Sequence, residues 1–389
     1  MHRVKYIIVI LKQILFFVLS MITPKKQNLW IFGAWQGKVY GDNSKSFFEY
    51  MNERHPEIEC VWLTHNPVVI ESVERKSYKV AKIHSVKGYW YLLRAKVAVQ
   101  TEGNVDIGGF VLFGTKIIQL WHGVAPKKAN WNDRRNKLQK LYSKIFVNDH
   151  SLSYWMVSSE HNKGTMMNIF GARSERTFVT GYPRNDTFVK RLETPSVFEK
   201  LEEKYPNSKK VIYMPTHRNF GTKEPFITCE SLVEVDKKFK EKNIVMVFKP
   251  HFHELKHYEN IENALTNIVF ARDAIYSDVY SYVSGFDLLI SDYSSIIYDF
   301  LCAKKPIVLF PYDLDDFKDT DAGLFDYFYD VPAGPFCYTW DEVIASVTEL
   351  LEEDSWSEKR EVCRKMFHPF DDGENSTRVY QAVQEILKK

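Results

Sequence analysis

The chain alternates short apolar runs with stretches of helical period, which is the pattern of a parallel α/β sheet. The apolar runs of the first half predict strands at Leu29–Phe32, Glu59–Leu63, Lys96–Gln100, Lys116–Leu120, Lys144–Val147 and Thr177–Val179. Those of the second half predict strands at Val211–Met214, Ile244–Phe248, Leu288–Ser291 and Pro306–Phe310. We therefore expect an α/β fold with two groups of strands.

A charged, proline-containing stretch, residues 190–210, separates the two groups. Since 389 residues exceed one typical core, this stretch predicts a domain boundary. We expect an N-terminal domain over residues 27–195, a C-terminal domain over residues 205–370 and a C-terminal helix within residues 371–389. That helix is compatible with closing the second domain or with crossing back to the first.

Residues 1–26 contain an apolar run, residues 6–22, whose length approaches the roughly 20 residues that a spanning helix needs. The run is flanked by Arg3, Lys5, Lys25 and Lys26. One side of a helix carries a narrow polar stripe of Lys5, Lys12, Gln13 and Ser20. This stripe favours a helix lying in the membrane interface. A spanning helix and a buried core helix remain as alternatives. No small-residue site follows the run, so a cleaved signal peptide is disfavoured.

Charge and cysteine usage narrow the class of protein. Lys and Arg number 52 against 50 acidic residues, and this near balance argues against nucleic acid as the main partner. The five cysteines are scattered without a C-x-x-C pair, so neither a zinc site nor a disulfide framework is expected. A reducing, cytoplasmic compartment is the simplest interpretation.

Distinctive polar residues follow five of the predicted strands, at the ends where parallel sheets bind ligands. These segments are Gly33–Gly37 with Asp42 and Asn43 beyond it, Trp121-His122-Gly123, Pro215-Thr216-His217-Arg218, Lys249-Pro250-His251, and Asp292-Tyr293-Ser294-Ser295. Their distribution over both groups of strands predicts one cleft between facing sheets.

Asp292, Ser294 and Ser295 lie where a strand meets a helix. Free backbone N–H groups and the helix dipole favour phosphate there, although plain helix capping is the alternative. Lys249 and Arg218 end neighbouring strands and are candidates to neutralise the same phosphates, with a solvated surface charge as the alternative.

His122 is the candidate general base, because an imidazole is suited to take the proton from an attacking hydroxyl. The alternative is a histidine satisfied by backbone hydrogen bonds. His251 forms an H-x-H pair with His253, but only Glu254 stands near it at ligand spacing, so phosphate contact is favoured over a metal. We expect no cofactor; a divalent cation is not indicated.

Residues 127–144 form a basic segment that directly follows the His122 loop. Its cationic residues are Lys127, Lys128, Arg134, Arg135, Lys137, Lys140 and Lys144, against the single acid Asp133. A solvated helix face is the ordinary interpretation, and a patch for a membrane or for an acceptor pyrophosphate is the alternative. Lys127 and Lys128 are the acceptor-side candidates.

These motifs, in this order, resemble those of the CDP-glycerol glycerophosphotransferases of teichoic-acid synthesis, the TagB/TagF-like family. The resemblance rests on Gly37 with Asp42-Asn43-Ser44-Lys45, Trp121-His122-Gly123, Gly181-Tyr182-Pro183-Arg184-Asn185-Asp186, Pro215–Arg218, Lys249–His251, Asp287–Ser295 with Asp299-Phe300, and Pro306 with Tyr312-Asp313-Leu314. It covers roughly residues 28–340. Two departures are Val124-Ala125-Pro126 after the Trp-His-Gly motif, and Ala322 where the family usually carries an arginine.

The resemblance implies a GT-B-like fold with two Rossmann-type domains and an interdomain cleft. It implies CDP-glycerol or CDP-ribitol as the donor, a hydroxyl of a lipid-linked glycan or polymer as the acceptor, and a peripheral protein on the cytoplasmic face of a bacterial membrane. The short chain resembles the primases of the family.

The implied catalytic residues are His122 and His251. The implied donor-binding residues are Thr216, Arg218, Lys249, Asp292, Ser294 and Ser295, and Asp42 and Asn43 are placed on the acceptor side. A GT-B glycosyltransferase that uses a nucleotide sugar is the alternative function.

Overall fold

The computed structural model describes residues 2–110, 112–128, 152–190, 196–216, 227–250, 254–272, 278–315 and 323–389. Within these ranges the chain folds into two compact units. The first unit contains residues 2–122, 152–186 and 372–389, and the second contains residues 123–128 and 187–371.

The strands of the first unit are β1 (Lys26–Phe32), β2 (Glu59–Thr64), β3 (Lys79–Lys82), β4 (Ala95–Gln100), β5 (Lys116–Gln119), β6 (Tyr154–Val157) and β7 (Thr177–Val179). Its helices are α1 (His2–Ile22), α2 (Asp42–Arg54), α3 (Pro67–Arg75), α4 (Val86–Arg94) and α5 (Glu160–Phe170), joined by the C-terminal α12 (Asn375–Lys388).

The strands of the second unit are β8 (Lys209–Met214), β9 (Ile244–Phe248), β10 (Ile268–Phe270), β11 (Leu288–Ser291) and β12 (Ile307–Leu309). Its helices are α6 (Ser196–Lys204), α7 (Cys229–Glu241), α8 (Ile296–Phe300), α9 (Tyr327–Asp330), α10 (Trp340–Glu352) and α11 (Ser357–Phe367).

Both sheets are parallel, which confirms the α/β prediction. The first has the order β3-β2-β1-β4-β5-β6-β7 and the second the order β10-β9-β8-β11-β12. In each, the chain starts at a central strand, builds outward on one side and then returns to build on the other. The order therefore reverses between β1 and β4, and between β8 and β11, and such switch points are where parallel sheets bind ligands.

The first sheet is buried on both faces, as the near-continuous apolar sequence of β1 requires. Leu29 and Ile31 pack on one face, beside α1 and α4. Trp30 and Phe32 pack on the other face, with α2 and α12. This alternation is the side-chain period of a strand, here with an apolar partner on each side.

Three strands were not predicted, namely β3, β6 and β10. The edge strands β3 and β10 have four and three residues, and β3 places only Val80 and Ala81 between two lysines, which is not a distinct apolar run. The strand β6 has the apolar sequence Tyr-Trp-Met-Val, whereas the sequence analysis predicts a strand nearby at Lys144–Val147. That run lies outside the described residues.

The C-terminal helix α12 packs on the first unit, so the chain crosses back to its starting domain. Val379, Val383 and Ile386 join the core that contains Trp30. The Asp186 carboxylate accepts hydrogen bonds at 2.9 Å from the backbone N–H groups of Asn375 and Ser376, where the helix begins. A buried carboxylate at this position satisfies free N–H groups and opposes the helix dipole.

The α1 helix turns part of its polar stripe toward the protein. The Gln13 amide donates to the Gly109 carbonyl, and the Ser20 hydroxyl accepts from the Phe113 N–H at 2.9 Å. Phe16 stacks on Phe110 with ring centroids 4.0 Å apart. The exposed apolar side chains of the helix are Leu11, Ile14, Leu15, Phe17, Val18, Met21 and Ile22. Among the described residues, no helix has both the length and the apolar character needed to cross a bilayer.

Gly181 provides a test of the α12 docking. Its φ is +76°, and a Cβ added there would lie 1.9 Å from Asn375 Oδ1 at the start of α12. We expect Gly181→Ala to lower the free energy of unfolding of the first unit by about 2–4 kcal/mol, from left-handed strain and overpacking together. Urea unfolding monitored by tryptophan fluorescence measures the loss.

The matched control is Gly171→Ala. Gly171 has a similar φ of +65°, but apart from its neighbours along the chain no atom in the described part of the protein lies within 4 Å of an added Cβ. The control should lose only about 1–2 kcal/mol, the cost of the left-handed backbone alone. Equal losses in the two variants would contradict the steric part of this account.

Candidate active site

The loop after β5 presents His122 through an unusual backbone turn. Trp121 has a φ of +54°, in the left-handed region that a bulky residue rarely occupies. Its N–H donates to the Gln119 side-chain oxygen at 3.1 Å, which holds the turn. Strain of this kind persists only where the surrounding structure fixes it, and it concentrates at functional sites.

Two tryptophan rings hold the His122 imidazole. The Trp121 ring stacks on it with centroids 4.0 Å apart, and the Trp35 ring lies 5.1 Å away on a tilt. Trp35 Nε1 donates to Asp42 at 3.1 Å, so its ring is fixed in turn. His122 Nδ1 is buried and has no hydrogen-bond partner among the described residues.

A buried ion pair lies beside this histidine. Arg184 donates to Asp42 Oδ1 at 2.6 Å, and both side chains are less than 5% exposed, at 2% and 4%. The second guanidinium nitrogen of Arg184 donates to the His122 carbonyl at 3.1 Å. The Asn43 amide donates to the Trp121 carbonyl at 2.9 Å, and its oxygen accepts from the Arg184 N–H at 3.2 Å. The carbonyls of Trp121 and His122 are therefore both held.

Burial lowers the pKa of His122 to about 4. Removal from water is the largest cause, since it penalises the charged ring. Asp42 and a backbone hydrogen bond with Thr101 raise the pKa, while Arg184 lowers it. At neutral pH the imidazole is uncharged, which is the form that accepts a proton.

Asp106 joins the ends of β1 and β4 at the switch point of the first sheet. Its fully buried carboxylate accepts from the N–H of Gln36 at 2.7 Å and from those of Thr101 and Glu102 at 2.8 Å. The loop that carries Trp35 is thereby fastened to the end of β4. Sequence reasoning missed Asp106, because its role depends on pairing between loops that are 70 residues apart.

Asp292 joins the ends of β8 and β11 at the switch point of the second sheet. Its buried carboxylate accepts from the Thr216 N–H at 2.9 Å and from the Thr216 hydroxyl at 2.6 Å. It also accepts from the Tyr293 N–H at 2.6 Å. Asp292 is thus engaged in joining two strand ends, and it does not cap α8.

Ser294, Ser295 and Lys249 lie near the same strand ends. Ser294 Oγ accepts from the Ile296 N–H at 3.4 Å, whereas the Ser295 hydroxyl makes no capping hydrogen bond. Burial lowers the pKa of Lys249. Helix capping therefore explains the presence of Ser294 only weakly, and it does not explain the Ser295 hydroxyl.

The remaining candidates lie elsewhere or outside the described residues. Lys127 and Lys128 belong to the second unit and not to the first, since Lys128 donates from its backbone to Gly323 at 2.8 Å and pairs with Asp326 at 3.0 Å. Arg218, His251 and the basic segment beyond Lys128 fall outside the described ranges. Within those ranges, no group of three or more His, Cys, Asp or Glu side chains is placed to hold a metal ion.

Parallel sheets with polar side chains at their switch points, and a neutral histidine at one strand end, define a class of α/β proteins suited to group transfer. The sequence profile of one family, CDP-Glycerol:Poly(glycerophosphate) glycerophosphotransferase, matches residues 15–385. The chain therefore belongs to this family, which confirms the resemblance drawn from its motifs.

Individual relatives of the chain are consistent with this family assignment. The chain is 26% identical to a teichoic acid poly(glycerol phosphate) polymerase of Staphylococcus epidermidis, over 95% of this chain and 52% of the relative. It is 26% identical to a teichoic acid glycerol-phosphate transferase of Staphylococcus aureus, over 92% of this chain and 93% of the relative. The chain thus spans about half of the first and nearly all of the second.

Solved structures show the same fold. A structure of the wall teichoic acid polymerase TagF covers 100% of this chain and 96% of its own, with a TM-score of 0.78 and 21% identity. A UDP co-structure of MnaA from S. aureus covers 92% of this chain and 97% of its own, with a TM-score of 0.61 and 12% identity.

The lowered pKa of His122 predicts a pH dependence of stability. Because the folded pKa of about 4 lies below the ordinary value of 6.5, the unfolded chain binds the proton first as the pH falls. Stability is then lost between pH 6.5 and pH 4, by up to about 3 kcal/mol from this group. The His122→Asn variant should lack that part of the loss, as urea unfolding across the range will measure. Parallel curves for the two proteins would contradict the buried, neutral ring.

Proposed function

We propose that the chain transfers glycerol phosphate, or a related polyol phosphate, from CDP-glycerol or CDP-ribitol to a hydroxyl of a lipid-linked glycan or polymer. The family match over residues 15–385 carries this proposal. Relatives named as glycerol-phosphate and ribitol-phosphate polymerases support a CDP-alditol donor. Teichoic acid or capsule synthesis is the setting.

In the proposed reaction, the acceptor hydroxyl attacks the phosphorus that bears the alditol. A P–O bond to the acceptor forms, the P–O bond to the other phosphate breaks in line, and CMP leaves with the bonding electrons. The proton of the hydroxyl passes to His122. Positioning and electrostatic stabilisation supply most of the acceleration in phosphoryl chemistry.

The state of His122 supports its role as the base. It is neutral at physiological pH because burial lowers its pKa to about 4. Asp42 favours the imidazolium that forms when the ring takes the proton. A negatively charged diphosphate raises proton affinity further, which moves the ring toward the pKa range where general bases work best.

We assign donor binding to the second unit. Ser295 has a hydroxyl that is not used for capping, and Lys249 supplies a partly buried cation. Asp292 contributes by fixing Thr216 at the switch point. Arg218 and His251 complete the proposed donor set. The strand orders of the two sheets support a GT-B-like architecture of two Rossmann-type domains.

The product identifies the reaction. We expect the protein to release CMP when it is incubated with CDP-glycerol or CDP-ribitol and a lipid-linked acceptor. His122→Ala should bind the donor with unchanged affinity while releasing CMP about 10²–10⁴-fold more slowly, which is the usual contribution of a general base. Chromatographic assay of CMP and calorimetric titration with the donor measure the two quantities.

The exposed His257 offers a matched control, and His257→Asn should retain wild-type turnover. Near wild-type turnover in His122→Ala would remove the base assignment. Release of a nucleoside diphosphate from a nucleotide sugar, with no CMP from either CDP-alditol, would identify a glycosyltransferase instead.

We further propose that α1 lies on the cytoplasmic surface of the membrane. Over residues 11–22 its exposed side is apolar apart from Lys12, because Gln13 and Ser20 are turned to the protein. Trp90 of the neighbouring α4 is 57% exposed and lies under Arg94, with the guanidinium 4.8 Å from its ring. Apolar, aromatic and cationic side chains together suit an interface with anionic lipid.

This placement predicts sensitivity to charge on the exposed side of α1. Leu15 and Val18 are 55% and 47% exposed. The double change Leu15→Glu and Val18→Glu should reduce binding to anionic liposomes about tenfold or more, since it removes apolar burial and adds like charge. Sedimentation with liposomes measures the partition.

Val362 on α11 of the second unit is 62% exposed, and Val362→Glu is the matched control that should leave liposome binding unchanged. An equal effect of both changes would indicate general electrostatic repulsion. Unaltered binding in the α1 variant would remove α1 from the membrane contact.

A further inference from the structure

We propose that the buried Asp42–Arg184 ion pair is the positioning element for His122: Arg184 holds the His122 carbonyl, Asp42 holds the Trp35 ring beside the imidazole, and the two charges set the electrostatic field in which the ring gains and loses a proton. Asp42 and Arg184 are positioning residues here, since they act through His122. The part concerning turnover rests on the proposed function; the part concerning the ring itself does not.

The geometry of Arg184 supports the part of the proposal that concerns the position of His122. One guanidinium nitrogen reaches Asp42 Oδ1 at 2.6 Å, and the other reaches the His122 carbonyl at 3.1 Å. A planar fork does this from one rigid group, whereas a lysine ammonium offers a single charged centre. The arginine is thus suited to hold the loop and the carboxylate at once.

Asp42 extends the restraint to the other side of the ring. Its φ of +66° places it in the left-handed region, where a non-glycine residue is strained. Its second oxygen accepts from Trp35 Nε1 at 3.1 Å, and the Trp35 ring lies 5.1 Å from the His122 ring. Its first oxygen also accepts from the Asn43 N–H at 2.7 Å, beside the amide that holds the Trp121 carbonyl.

The charges of Asp42 and Arg184 support the electrostatic part of the proposal. Among the described residues, the charged groups that act on His122 are Asp42 from α2 and Arg184 from the segment after β7, with a backbone hydrogen bond from Thr101 after β4. Asp42 raises the pKa of His122, and Arg184 lowers it. The pair therefore holds two opposed influences on one ring.

Because the two charges act on the His122 pKa in opposite directions, removing each one should shift that pKa in a different direction. Loss of structure alone does not produce such a pair of opposite shifts. Arg184→Met leaves the Asp42 charge unopposed, and we expect it to raise the pKa of His122 by about one unit or more. Asp42→Asn leaves the Arg184 charge unopposed and should lower it. The double variant should return the pKa toward the wild-type value. Loosening of the loop would expose the ring in both single variants and shift them in the same direction.

The measurement is an NMR titration of the full chain with ¹³C-labelled histidine, in which the His122 signal is assigned by its absence from His122→Gln. Shifts of opposite sign in the single variants support the inference. Shifts of the same sign, or no shift, overturn it. Should one single variant fail to fold, the sign of the shift in the other single variant decides the electrostatic half, and the rate of CMP release by Arg184→Lys decides the positioning half.

Arg184→Lys separates position from charge. It should keep the pKa of His122 near the wild-type value while slowing CMP release about tenfold or more, with KM for the donor unchanged. A wild-type rate would overturn the positioning half. If the pKa shifts appear as expected but CMP release does not follow them, the proposed role of His122 as the base fails while the control of its ring stands.

A second, partly buried ion pair in the second unit provides the control. Arg360 of α11 is 3% exposed and makes a two-pronged contact with Asp354, which precedes the helix and is 26% exposed. Asp354→Asn removes the acidic partner of an arginine–aspartate pair far from His122 in the sequence. It should leave both the His122 titration and KM unchanged, and an equal shift there would overturn the local origin of the effect.

Discussion

The first unit depends on one buried contact, the ion pair of Asp42 with Arg184. Moving two charges out of water costs several kcal/mol per ion, so such a pair is poor evidence of stabilisation by itself. Its geometry explains its presence. Arg184 belongs to the segment Gly181–Asp186, which also accepts the start of the C-terminal helix through Asp186. The same six residues therefore close the fold of the unit and fix the histidine loop.

A single buried aspartate also organises the loops at each of the two switch points. Asp106 ties the ends of β1 and β4 in the first sheet, and Asp292 ties the ends of β8 and β11 in the second. Parallel strands end with free N–H groups in irregular loops, and a buried carboxylate satisfies several of them at once. Each sheet thus uses one buried aspartate to fix the loops at its switch point.

The sequence predicted most strands and the family, because both depend on local patterns. Buried strands such as β9 are continuous apolar runs. The family motifs can be recognised from their residues and their order along the chain, without knowledge of which residues touch in the fold. The edge strand β3 was missed because Val80 and Ala81 stand between two lysines and form no distinct apolar run. The inward side of α1 was missed because the helix pattern does not reveal whether Gln13 meets water or the Gly109 carbonyl. The role of Arg184 depends on a partner 142 residues away, which no local pattern indicates.

The proton affinity of His122 follows from this arrangement. Because Asp42 and Arg184 oppose each other, desolvation remains the largest influence and holds the pKa near 4. A resting enzyme with a neutral, weakly basic imidazole does not bind a proton before its substrate arrives. In the proposed reaction the donor brings negative charge, which raises the proton affinity of the ring only when the acceptor hydroxyl is about to react. An ion pair with no net charge leaves that response to the substrate, whereas an uncompensated aspartate would raise the pKa of the ring before the substrate arrives.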